Sequence, residues 1–127
     1  MNQLKIKFLE EKLIKYIGFV SEPIMNHLIG TANILKEYGA PNYLIDAGLF
    51  HSIYGEASSR NVPKNKYLTR DELVSMIGKD AEEIVYEFSS IESPRTENIN
   101  NYPDGQLKED LILLDNANNE QMKMKKE

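Results

Sequence analysis

Ile6, Leu9, Leu13 and Ile17 return at steps of three and four residues, with Lys and Glu filling positions between them. That period lays one apolar stripe along a helix and denies a strand its alternation. The same spacing recurs in each well-marked segment that follows, and no segment alternates convincingly or repeats internally. An all-α bundle of five to seven helices is the expected architecture. The 127 residues are enough for one core and too few for two, so residues 1–127 read as a single domain.

The breaks between stripes carry their own chemistry. Gly18 suggests a stop after the first helix, residues 3–17, and Ser21-Glu22-Pro23 offers an N-cap with proline in the first turn of the next. That helix runs to Tyr38, where Gly39 supplies the left-handed residue that ends many helices. Pro41-Asn42 opens a third helix with Leu44, Gly48 and His51 on one face, breaking near Gly55. Residues 55–68 are polar and turn-rich, and read as a surface loop. Thr69-x-x-Glu72 is a capping-box pattern for a short helix ending at Gly78. Asp80-x-x-Glu83 starts another, with Ala81, Ile84, Val85 and Phe88 inward. Residues 92–105 hold two prolines, a glycine and several asparagines, and read as a long mobile connection, with a lid as one role for it. A last helix over about 106–120 is expected to bury Leu107, Leu111 and Leu114, with a frayed tail from about 121.

Composition narrows the function classes. A net charge of −5 and a pI near 5.1 give no basic stripe for nucleic acid or anionic lipid. The absence of cysteine excludes disulfides, thiolate nucleophiles and cysteine-based zinc sites. No stretch is apolar enough to span a membrane, and the N-terminal residues lack the pattern of a signal peptide, so a cytoplasmic address is expected.

Three residues stand out as candidates for chemistry. His27 lies mid-helix among Ile24, Thr31 and Ile34, and His51 ends the third helix on the face of Gly48, which permits close approach to that histidine. Asp115 follows Leu114 beside the apolar stripe of the last helix, with Asn118 and Asn119 one turn on. The plain reading of each is a satisfied polar group near a helix end. Tyr54 is a pocket wall, a hydrogen-bond donor or simple packing. Arg60, Lys64 and Lys66 either meet a phosphate or belong to a solvated loop.

The order of motifs is more informative than any one of them. His27-Leu-Ile-Gly30-Thr-Ala32-Asn-Ile-Leu35 is followed by Ala47-Gly48-Leu49-Phe50-His51-Ser52, then Asp71-Glu72-Leu73 through Gly78, then Ala81-Glu82-Glu83-Ile84-Val85, and finally Leu114-Asp115-Asn116-Ala117-Asn118-Asn119. This series, over about residues 20–120, resembles the HD superfamily of all-α metal-dependent phosphohydrolases, nearest the alarmone hydrolases. The string LFHSIYG also resembles a small uncharacterised bacterial domain family with His-Ser in place of His-Asp. The resemblance implies an HD-like bundle with a divalent metal (Mn, Fe or Zn) on His27, His51 and Asp115. It implies Glu56 and Ser52 in catalytic positions. Tyr54, Arg60, Asn118 and Asn119 would contact a small-molecule ligand such as a nucleotide.

Ser52 departs from that pattern. A serine where the family has aspartate removes one negative charge and one bond from the shell of a hard cation. Phosphohydrolysis needs the metal charge both to generate hydroxide and to hold phosphoryl oxygens, so the substitution counts against ordinary HD hydrolysis. Three readings remain: a divergent HD-type phosphohydrolase, an inactive HD-fold module that binds a small ligand, and an interaction protein with a vestigial pocket.

Overall fold

The computed structural model describes residues 3–19, 21–55 and 65–126. Among them run seven helices and no strand: α1 (Gln3–Ile17), α2 (Glu22–Glu37), α3 (Asn42–Phe50), α4 (Arg70–Ile77), α5 (Lys79–Ser90), α6 (Arg95–Asn100) and α7 (Gln106–Lys126). None of them is long and apolar enough to cross a membrane.

The caps act where the sequence put them, with one exception. Ser21 Oγ accepts the Ile24 N–H at 3.3 Å, satisfying one of the orphan donors at the start of α2. Thr69 Oγ1 accepts the Glu72 N–H at 3.1 Å while Glu72 Oε1 accepts the Thr69 N–H at 3.0 Å, a closed capping box for α4. Gly39, at φ +79°, ends the α2 segment in the left-handed region. The exception is α5, which starts at Lys79 from Gly78 (φ +89°) with no side-chain cap, rather than from Asp80.

The core is built from one face each of α2, α3, α5 and α7. Leu28 and Leu35, Leu44, Val85 and Phe88, and Leu111 and Leu114 are fully or almost fully buried there. Each such side chain contributes about 1.5–3 kcal/mol relative to exposure. Gly48 sets the spacing of α2 and α3: a Cβ there would lie 2.5 Å from Leu35 Cδ1 and 3.5 Å from the Ala32 Cα. The close approach expected at this glycine is therefore real, and its partner is α2. α1 lies across the bundle on Leu9 and Leu13, with the Phe8 and Phe50 rings 6.2 Å apart. Lys5 to Asp46 and Lys12 to Glu72, both 2.9 Å, tie its exposed side to α3 and α4. Such partly solvated pairs contribute only tenths of a kcal/mol each.

An ion pair between a buried carboxylate and a half-exposed guanidinium joins α4 and α5. Glu82, only 2% exposed, receives Arg70 Nε at 2.7 Å and Nη2 at 2.8 Å, and the Tyr54 hydroxyl at 2.6 Å. The same guanidinium lies 3.6 Å from the centroid of the Tyr86 ring. Two hydrogen bonds in one plane, a third from Tyr54 and an aromatic face satisfy a carboxylate that would otherwise be expensive to bury.

Three expectations are corrected. Residues 92–105 are not a structureless connection: they contain α6, anchored by buried Ile99. α7 continues past 120 to Lys126, because Gln121 and Met122 find surfaces to meet. Leu107 is 41% exposed; the inward stripe of α7 begins with Asp110 and Leu111 instead.

Candidate ligand-binding site

The two histidines, distant in sequence, meet because α2 and α3 pack closely at Gly48. Their rings stand edge to face with centroids 5.1 Å apart. Each ring is fixed through Nδ1. His51 Nδ1 donates to the Gly48 carbonyl at 2.7 Å, within its own helix end. His27 Nδ1 meets Gln121 Oε1 of α7 at 2.5 Å. A carbonyl oxygen only accepts, so each Nδ1 carries a proton.

Phe88 closes the inner side of His51, ring centroids 5.7 Å apart, and leaves that imidazole 5% exposed. Burial drives its pKa down to about 4; the Gly48 carbonyl opposes this, the nearness of His27 and Arg95 adds to it, and a hydrogen bond with Asn118 opposes it. His51 is thus a neutral acceptor at pH 7. Arg95, the first residue of α6, packs its guanidinium 4.2 Å from the Phe88 centroid and brings a cation to the same corner.

Between these groups lies a cavity of about 500 Å³. His27, His51, Ser52, Ser89, Arg95 and Asn118 supply its polar wall, and no aspartate or glutamate among the described residues lines it. Asp115 is buried nearby on α7, but its Oδ2 accepts the Thr96 hydroxyl at 2.7 Å, which links α7 to α6. Asn118, one turn along, takes the place beside His51 that Asp115 was expected to fill.

Other expected site residues fall elsewhere. Tyr54 is 1% exposed and turned away, bonded to Glu82, so its role is in the ion pair and not in ligand contact. Asn119 is on the exposed side of α7. Glu56, Arg60 and Lys64 lie outside the described residues, and Lys66 is exposed beside the Tyr67 ring. Sequence reading missed Arg95, Ser89 and Gln121. Gln121 had a signal: it continues the three-residue step Asp115–Asn118–Gln121 on one face of α7. Arg95 had none, since α6 is too short to show a period.

The described donors do not by themselves suit a divalent cation. Among the described residues no three His, Asp or Glu side chains gather as a metal site. Two imidazoles beside a guanidinium supply nitrogen but no negative charge.

Fold and site together define an all-α helical protein with a pocket of hydrogen-bonding and cationic groups beside a pair of imidazoles in edge-to-face contact. The chain belongs to the family described as a domain of unknown function, DUF6817, which matches residues 8–93. No curated protein and no solved structure shows significant similarity to it. The matched segment includes His27, His51, Ser52 and Ser89, whereas Arg95, Asn118 and Gln121 follow it.

Proposed function

We propose that this protein is an HD-like helical module that binds a small phosphorylated molecule directly, without a metal ion, in the cavity between His27 and His51. The observation that carries the reading is the makeup of the polar wall: a guanidinium, two hydroxyls, an amide and two imidazoles. Arg95 supplies attraction for anionic oxygens. The hydroxyls and imidazoles favour a ligand that both accepts and donates hydrogen bonds. A phosphate monoester in its monoanionic form has both, negative oxygens and an acidic O–H, whereas an ionised carboxylate has only the first.

Calorimetric titration of the full chain in EDTA with methyl phosphate and a nucleoside monophosphate tests this. Saturable binding that Arg95→Ala weakens by tenfold or more supports it. Absence of binding to either ligand in EDTA overturns it.

A second reading, a divergent HD-type phosphohydrolase, has one observation in its favour. Imidazoles held through Nδ1 by an oxygen acceptor are arranged as metal-ligating histidines usually are. Asp115 would then have to leave Thr96 to join them. Metal retained after purification and lost in His27→Ala and Asp115→Asn, with hydrolysis of a nucleotide that depends on it, would establish this reading over the first.

A further inference from the structure

The polar cavity does not end at His27. A second chamber of about 260 Å³ adjoins it and shares His27, Ser52, Ile17 and Met122 as common walls. Its remaining walls are Leu13 of α1 and Ile24 and Leu28 of α2, and it has no charged residue. Leu13 and Ile17 stand one turn apart, as do Ile24 and Leu28, so two helical stripes face each other across it. The two cavities thus adjoin along the four shared residues, one lined by polar groups and Arg95, the other by apolar side chains up to Leu28.

We infer that the ligand is an amphiphile: a phosphate monoester whose ester group is a short aliphatic chain or comparable apolar moiety, the phosphate beside Arg95 and His51 and the chain between α1 and α2. This inference rests on the reading of the polar cavity given above and adds the class of the organic group. A bulky hydrophilic ester, such as a sugar, would desolvate its hydroxyls against Leu13, Ile24 and Leu28 with no partner for them. An apolar chain fits that wall without loss. Taking a water's share of liquid volume, about 30 Å³, as the measure, the chamber has room for on the order of eight methylene-sized groups.

The experiment is a chain-length series on the full protein in EDTA: methyl, butyl, hexyl and dodecyl phosphate, each below its micellar concentration, with hexanoate in parallel. Affinity is expected to rise about threefold per added methylene up to roughly six to eight carbons and then level off. Hexanoate should bind more weakly than hexyl phosphate. Ile24→Asp, which alters only the apolar chamber, should bring the hexyl-to-methyl affinity ratio toward one. If that variant proves misfolded by circular dichroism, Ile24→Thr, a smaller polar change at the same position, serves instead. Equal affinity for methyl and hexyl phosphate overturns the inference while leaving phosphate binding intact. Affinity that climbs through dodecyl phosphate and ignores both variants also overturns it, since that pattern belongs to non-specific adsorption. Failure of every member to bind overturns the underlying reading of the polar cavity.

Discussion

The His27 ring stands edge-on to the His51 ring, 5.1 Å between centroids, and each is held at Nδ1 by an oxygen from a different source. For His51 the acceptor is local, the carbonyl of Gly48 three residues earlier. For His27 it is the side chain of Gln121, at the other end of the chain. The first imidazole is therefore oriented within its own helix end, and the second through a contact with α7.

Acid should destabilise the protein through His51. Its folded pKa, about 4, lies below the unfolded value near 6.5, so between these the unfolded state binds more protons. Stability then rises with pH across that window and is lost as pH falls through it, by on the order of 3 kcal/mol in full. Urea unfolding in EDTA at pH 7 and pH 4.5 should show a larger loss for the native chain than for His51→Gln. Equal losses would mean that His51 is not buried as a neutral group.

Glu82→Gln should destabilise the fold by about 1–2 kcal/mol, because the two charge-assisted bonds from Arg70 weaken while its half-exposed guanidinium keeps contact with water. Denaturant melts check this, and a change under about 0.5 kcal/mol would show that the pair is exchangeable for a neutral amide.

Gly30→Ala separates stability from site geometry. A Cβ at residue 30 would come within 2.8 Å of Gln121 Cγ and so push that side chain off His27. Alanine gains about 1 kcal/mol of helix propensity, which offsets much of the cost of crowding. The expected result is a melting temperature little changed, with altered His27 ring resonances in NMR spectra. Unchanged His27 resonances would refute the contact.

Gly48→Ala meets a harder obstacle. The added methyl would overlap Leu35 Cδ1 at 2.5 Å with the Ala32 backbone behind it, so α2 and α3 must separate, at about 1–3 kcal/mol. Combining it with Leu35→Val, which removes the obstructing methyl, should recover part of the loss beyond simple additivity. Strict additivity of the two destabilisations would show that the methyls do not meet.

The helices were legible because periodicity and caps agree: Ser21, Gly39, Thr69 and Gly78 mark ends that hydrogen bonds or backbone angles bear out. The meeting of His27 and His51 was expected only through the HD resemblance; Gly48 by itself told no more than that something could come close to His51. Asp115 was harder to read. One helical turn separates it from Asn118, and which of two neighbouring polar residues faces the cavity depends on the rotation of α7, fixed by distant contacts such as the bond from Thr96. Arg95 was illegible because a proline- and asparagine-rich stretch looks like loop whether or not it folds, and only Ile99 in the core reveals that it does.

The contact between His27 and Gln121 makes assembly and competence a single event. A chain severed ahead of α7 would retain both imidazoles yet lose the oxygen that aims one of them, as well as Asn118 beside the other. Such a fragment would carry the right atoms with one of them unaimed, and adding α7 back as a separate peptide would switch it on in proportion to how much of it docks.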